Sequence, residues 1–264
     1  MKSPTLPADA DAFQVPALDR ALTILELLAA HPGGMRMREI AERLKIPTNS
    51  VFRITGLLEQ RGYLRREGED MRYQLSRKIL SLGYAAIGED KLIAHALDVM
   101  QQVRDETKET VLIGVRVGTQ GVVIEQFAST QPIKFLVDPG SQFDLHSSAP
   151  GKVFLAFLPA AERAGLLKGL KLTRYNERTL DTRAKLEAEL ENVRTQGYSL
   201  DLAEMIEGLH CVGAPIFDHR GHPIAAIWVT GPSFRFPKAA MPAMGVKLAA
   251  AAAQISARFG YKLL

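Results

Sequence analysis

Residues 37–60, MREIAERLKIPTNSVFRITGLLEQ, decide how the chain is read. In the first eight, Met37, Ile40, Ala41 and Leu44 fall on one helical face, while Arg38, Glu39, Glu42 and Arg43, with Arg36 just before them, take the other. Lys45-Ile46-Pro47 leaves room only for a tight turn, and Thr48 or Asn49 is suited to cap a second helix that runs to about Gln60. In that second helix Val51, Ile54, Leu57 and Leu58 make the expected buried stripe. Asn49, Phe52, Arg53 and Gly56 then share the opposite side.

Outward from this pair, Leu18, Ala21, Leu22, Leu25, Leu28 and Ala29 repeat at three- and four-residue spacing until His31-Pro32-Gly33-Gly34 stops the run. Gly62 ends the helix on the other side. Tyr63–Arg66 and Arg72–Leu75 flank Glu67-Gly68-Glu69-Asp70 and read as a hairpin. Helix, helix, turn, helix and hairpin is the order of a winged helix-turn-helix, expected over 17–77 behind a mobile tail at 1–16. Residues 33–78 hold eleven basic and six acidic side chains, the surplus a phosphate-facing module needs.

A helix that reads DNA carries its donors and acceptors in its first turns. Thr48, Asn49, Ser50 and Arg53 meet that requirement, and the Phe52 ring suits a thymine methyl group. Arg36 and Arg38, with Arg65, Arg66 and Arg72 of the hairpin, complete the expected DNA-contacting set, the hairpin arginines being placed for phosphates or a minor groove. The plainer alternative is that Thr48 and Asn49 only cap the helix and that the arginines are solvated.

With 264 residues, 47% hydrophobic and 23% charged, the chain can bury two modest cores and is not a disordered protein. One cysteine excludes a disulfide framework and fits a reducing cytosol. No run of 18 apolar residues and no leader pattern occurs, so a soluble, cytoplasmic protein without membrane association is expected. From residue 78 to 107 the pattern is helical, with an interruption at Gly83–Gly88, and is read as a linker helix opening a second domain, 78–264. Strands are expected at Thr110–Val117, Val122–Phe127, Lys134–Val137, Tyr198–Leu200, Leu209–Phe217 and Pro223–Thr230. Helices are expected at Gly151–Leu158, Ala160–Leu167, Arg183–Gln196 and Pro237–Phe259. That is an α+β domain with an antiparallel sheet.

Ser147-Ser148-Ala149-Pro150-Gly151-Lys152 precedes an apolar helix, so its N-terminus is a candidate receiver for a carboxylate; the alternative is that Ser147 or Ser148 caps the helix. Asp201 opposes an anion unless it meets a ligand hydroxyl or is paired. His146, His210 and Cys211 lack the spacing of a zinc site. A Cys211–His146 nucleophilic pair is the rival reading, a small-molecule enzyme with an accessory DNA-binding domain, although the apolar flanks of Cys211 favour an inert thiol. Gly114, Gly118 and Gly121 have the wrong spacing for a dinucleotide loop and read as hairpin glycines. No cofactor motif remains.

Three blocks, ALDRALTILELLAAHPGGMRMREIAERLKIPTNSVFRITGLLEQRGYLRRE, LHSSAPGKVFLAFLP and GYSLDLAEMIEGLHCVGAPIFDHRGHPIAAIWVTGP, together resemble the isocitrate lyase regulator (IclR) family of bacterial transcription factors. The resemblance implies a GAF-like C-terminal domain that senses a small organic, sugar or aromatic acid. It also implies a homodimer or homotetramer on a palindromic double-stranded DNA operator, without catalytic activity. Carried onto this chain, the effector positions are Phe143, Ser148, Ala149 and Pro150 before the Gly-Lys helix, with neighbouring His146, and Asp201, Cys211, Trp228 and Thr230 facing them. Relatives often have a serine where Trp228 stands and an acidic residue at the position of Ala203. The indole either narrows the pocket or offers a flat face.

Overall fold

The computed structural model describes residues 15–67, 70–79, 81, 82 and 90–262, and the chain divides into two compact units, Met1–Glu89 and Asp90–Leu264. Most of the expected tail, residues 1–14, and the interruption of the expected linker helix lie outside the described residues.

The first unit contains α1 (Pro16–Ala29), α2 (Met37–Leu44), α3 (Thr48–Gln60) and the antiparallel hairpin β1 (Leu64–Glu67) with β2 (Arg72–Leu75). Pro16 opens α1, where its missing N–H costs nothing. The core joins Ile24 and Leu28 of α1, Ile40 and Ala41 of α2, Val51 of α3, and Met35, Leu64 and Tyr73. Met35 also pairs with Tyr73 through two backbone hydrogen bonds, tying the loop before α2 to the wing.

Three local expectations change. Thr48 is the first residue of α3 rather than its cap; Pro47 holds the cap position, and no side chain caps the helix. Leu57 is 53% exposed, because Thr55 takes the buried place one turn after Val51 and satisfies its hydroxyl by donating to the Val51 carbonyl at 2.8 Å. In α1 the buried residues are Ile24 and Leu28, while Leu18 and Leu22 of the expected stripe face solvent.

The second unit is built on a six-stranded sheet in the order β5-β4-β3-β8-β7-β6, every neighbour antiparallel. The strands are β3 (Thr110–Val117), β4 (Gln120–Phe127), β5 (Gln142–Asp144), β6 (Ser199–Leu202), β7 (Leu209–Phe217) and β8 (Pro223–Pro232). On one face, Val111, Ile113, Val212, Ala214, Ile227 and Val229 pack under α4 (Asp90–Thr107) and α8 (Met241–Arg258). On the other lie α5 (Ala149–Phe157) and α7 (Arg183–Gln196), with Val153, Phe154, Leu186, Leu190 and Val193 in a second core; α6 (Ala160–Gly169) follows α5. Burial on both faces is why β7 and β8 read as continuous apolar runs.

Residues 134–137 form no strand. The segment is extended, with Phe135 and Val137 turned inward and Leu136 outward, which mimics strand alternation. Its backbone has no ladder partner and is held by side chains: Thr110 Oγ1 donates to the Phe135 carbonyl at 2.7 Å, and Val137 N–H donates to Gln126 Oε1 at 3.2 Å. The edge strand is instead Gln142–Asp144, paired with β4. The last helix also starts later than expected, at Met241, after a 3-10 turn at Lys238–Ala240, with a proline in its first turn.

Candidate nucleic-acid interface and effector site

On α3 the polar side is free. Thr48, Asn49, Phe52 and Arg53 are exposed and Ser50 is half-buried, while Val51 and Thr55 are packed behind them. Phe52 is 61% exposed, an unusual cost for an aromatic ring with no partner to cover it. Arg53 and Arg38 make no hydrogen bond or ion pair with any described residue. The other arginines of the expected set are engaged within the unit. Arg36 pairs with Asp70, and Arg66 donates to Glu59 at 2.7 Å and lies over the Tyr73 ring. Arg72 donates to the Gly34 carbonyl at 3.1 Å and Arg65 to Gln74 Oε1 at 2.9 Å. The wing arginines are thus oriented by protein acceptors, and a phosphate would have to compete with those acceptors or share their donors.

In the second unit, register brings together several of the residues expected to contact an effector. Asp201 stands opposite Cys211, Cys211 opposite Thr230, and Thr230 opposite Thr110, a polar row across β6, β7, β8 and β3. The next row joins Ser199, Gly213, Trp228 and Leu112. Directly opposed residues share a face, so both rows stand on one face of the sheet. Trp228, Cys211 and Ala149 pack there with Leu112, Val123 and Leu209, and Phe143, Phe135 and Val137 close the cluster. The Phe143 ring meets the indole edge to face, centroids 5.3 Å apart. Two of the three hairpin glycines have a different role: a Cβ on Gly114 would meet Trp228 at 3.1 Å and one on Gly121 would meet Phe143 at 2.0 Å, so these glycines seat the two rings. Gly118 alone occupies the turn, at φ +60°.

The Cys211 thiol donates to Thr230 Oγ1 at 3.2 Å, and burial pushes it well above its ordinary range, so it is not a thiolate. Burial also raises the Asp201 carboxyl, against the pull of Lys152; its Oδ1 accepts from the Glu204 N–H at 2.8 Å.

The remaining expected residues serve other purposes. Ser148 caps α5, accepting from Gly151 N–H at 3.2 Å and donating to the Asp144 carbonyl. Pro150 has no N–H, and Lys152 N–H is taken by the Ser148 carbonyl, so the first turn has little left for an anion. His146 is fully buried; its Nε2 lies 2.9 Å from the Thr173 carbonyl and carries the proton, which leaves Nδ1 bare and unpartnered. Its ring stacks on Tyr175, and it makes no hydrogen bond with Cys211. Among the described residues no group of three or more His, Cys, Asp or Glu is arranged to hold a metal, and no helix is long and apolar enough to cross a membrane.

Beyond the residues expected from sequence, Leu112, Val123, Phe135 and Val137 pack around Trp228, Thr110 bonds the Phe135 carbonyl, and the same unit holds a buried ion pair. Lys152, wholly buried, pairs with Glu204 and lies 3.9 Å from Glu189. Burial pushes the Glu204 carboxyl up to about 7, against the pull of Lys152 and with the help of Asp201 and Glu189. A carboxyl raised on folding adds stability at low pH that is lost as pH climbs through its folded value, and Asp201 acts in the same direction. The melting temperature should therefore fall as pH rises from about 5 to about 8, less steeply in Glu204→Gln. A flat or rising profile in the parent protein would show both carboxyls to be ordinary.

A winged helix-turn-helix unit and an α+β unit in one chain define a DNA-binding regulator with a sensor domain. Residues 17–68 match the IclR helix-turn-helix domain and residues 84–257 the bacterial transcriptional regulator IclR C-terminal domain. The Escherichia coli regulator KdgR is 33% identical over 223 residues, covering 84% of this chain and 85% of KdgR. BhcR of Paracoccus denitrificans is 31% identical over 246 residues, covering 93% of this chain and 88% of BhcR. The crystal structure of the Thermotoga maritima IclR superimposes with a TM-score of 0.74 at 31% identity, covering 94% of this chain and all of that one. The chain belongs to the IclR family of bacterial transcriptional regulators.

Proposed function

We propose that the protein binds a palindromic operator as a homodimer or a pair of dimers, reads it with the first turns of α3, and is controlled by a small aromatic or apolar acid held against Trp228. The observation that carries the DNA half is the exposed face of Thr48, Asn49, Phe52 and Arg53, with its one guanidinium unengaged by described residues. Dimerisation is supported by α1. Val15, Leu18 and Leu22 are exposed, Leu25 is half-buried and Ala29 exposed, a 3-4-3-4 spacing that makes the apolar seam of a two-helix contact.

The ligand class follows from the residues around Trp228. Aromatic and aliphatic neighbours suit a flat body, and Asp201 and the Thr230 hydroxyl suit one acid or hydroxyl group. A ligand preferring one state of the sensor domain changes operator affinity, and the operator changes ligand affinity by the same factor.

Selection of sites from a random duplex pool should return a palindromic consensus. Arg53→Ala should cost about 1–3 kcal/mol of discrimination and relax one base position in each half-site. Arg38→Ala should weaken all duplexes alike and lower the salt slope by about 1. An unchanged consensus in Arg53→Ala would remove α3 from the groove. For the ligand half, hydroxybenzoic, sugar and short hydroxy acids are screened by thermal shift; aromatic acids should raise the melting temperature, and less so in Asp201→Asn.

A further inference from the structure

Asp201, Cys211, Trp228 and Thr230 are 6%, 7%, 6% and 2% exposed, so a ligand that touches any of them needs a neighbouring segment to move. Cys211, Trp228 and Thr230 lie on strands bonded to a neighbour on each side. Residues 130–139, by contrast, bring Phe135 and Val137 to the same cluster from a stretch with no strand. Its ends are firm. Ser129 N–H donates to Thr110 Oγ1 at 3.0 Å and its hydroxyl to the Lys108 carbonyl at 2.5 Å, while Gly140 N–H donates to the Val123 carbonyl at 2.7 Å. Among the described residues, three side chains bond the span between these ends to the rest of the unit: Thr110, Gln126 and Arg235, whose Nη2 donates to the Ile133 carbonyl at 2.8 Å. Arg235 is itself held, its Nε and Nη2 donating to the two carboxylate oxygens of Glu109 at 2.5 and 2.9 Å. A Cβ on Gly231 would meet Glu109 Cδ at 2.8 Å, so that carboxylate is seated against bare backbone.

We propose that residues 130–139 are the strap that opens to let a small molecule reach Trp228, and that Arg235 is the positioning residue that sets how readily it opens; the role of the strap in effector capture rests on the Trp228 assignment above. Lifting the strap breaks three hydrogen bonds and uncovers two apolar side chains, whereas parting β7 from β8 breaks a whole ladder. Ile133 and Leu136 on its outer side are 67% and 53% exposed, so it lifts without displacing another element. Pro132 and Pro139 stiffen its two ends and have no N–H to lose, which favours motion as one flap. Of the three ties, the bond from the Arg235 guanidinium is the charge-assisted one and the strongest. A single side chain thus joins the start of β3, the loop after β8 and the strap.

Trp228 is the only tryptophan of the chain, so its fluorescence reports on the strap without any effector. Acrylamide, a small neutral quencher that has to travel the route proposed for a ligand, is titrated into the full-length parent, Arg235→Lys and Gln126→Ala. Arg235→Lys keeps a cation beside Glu109 but lacks the fork that also reaches Ile133. Its quenching slope should rise about threefold or more, and that of Gln126→Ala by less. Hydrogen exchange in the parent should show residues 130–139 opening faster than β3 and β8, and Arg235→Lys should accelerate that span alone; a merely structural role would accelerate the strands with it. Both readouts are independent of ligand, so failure of the aromatic-acid assignment leaves them standing. Should Arg235→Lys not fold, Gln126→Ala and the exchange of the parent carry the same decision. An unchanged quenching slope in the folded variants, or exchange in β3 and β8 as fast as in 130–139, overturns the proposal.

Discussion

Gly151→Ala is expected to destabilise the sensor unit by about 3 kcal/mol or more, at the upper end of what one added methyl group costs in a packed interior. A Cβ at this position would sit 2.4 Å from Leu145 Cα, 2.5 Å from the Leu145 carbonyl oxygen and 2.7 Å from that of Asp144. These are backbone atoms. They cannot swing aside as a side chain can, and they belong to the segment that joins edge strand β5 to α5. Relief requires the helix to lift, which breaks the Ser148 cap and withdraws Ala149 from the residues packed around Trp228. Chemical denaturation of the full chain measures the effect, with Gly165→Ala as the control. A Cβ on Gly165 meets nothing within 4 Å, so inside α6 the same change should be neutral or gain about 0.5–1 kcal/mol. Equal behaviour of the two variants would show that α5 can move freely. The glycine of the Gly-Lys pair is thus required by close approach of helix and loop.

Lys152→Met is the second large effect. The methionine matches the lysine stem in volume, but it leaves Glu204 buried without its cation, and breaking a buried pair from one side costs about 3–5 kcal/mol. Glu204 would respond by holding its proton to still higher pH, so the loss should shrink in acid and be largest above neutrality. Replacing both partners, Lys152→Met with Glu204→Leu, should recover most of the stability, because the desolvation of both charges disappears together. Denaturation of the two single variants and the double variant closes the cycle. A double variant no more stable than Lys152→Met would mean that the lysine acts through packing alone.

The helix-turn-helix was legible because its signals are local. The apolar period through Ile40, Ala41 and Leu44, the stop at Pro47 and the wing hairpin each lie within a few residues of what they organise. Even there the sequence misplaced the buried stripe of α3, since Thr55 can hide its hydroxyl against its own helix and so displace Leu57. The arginines of the wing lie on the hairpin expected from sequence, but their acceptors were not legible: Gln74 faces Arg65 across the hairpin, while Glu59 and Gly34 come from elsewhere in the unit.

The sensor domain divides differently. Continuous apolar runs located β7 and β8, but residues 134–137 alternate as a half-buried strand would without a neighbour to bond, and only the ladder partner distinguishes an extended strip from a strand. Of the two readings of the α5 N-terminus, the structure shows the cap: Ser148 accepts from Gly151 N–H, and Pro150 brings no donor of its own.

From its residues alone this chain is a winged helix-turn-helix joined to an α+β sensor, because periodicity and turn chemistry act over one helical turn or one hairpin. Tertiary structure alone put Asp201, Cys211, Thr230 and Thr110 in one row, seated two rings on Gly114 and Gly121, and buried Lys152 against Glu204. Those pairings span tens of residues and are set by strand register, which no single strand encodes when both of its faces are apolar.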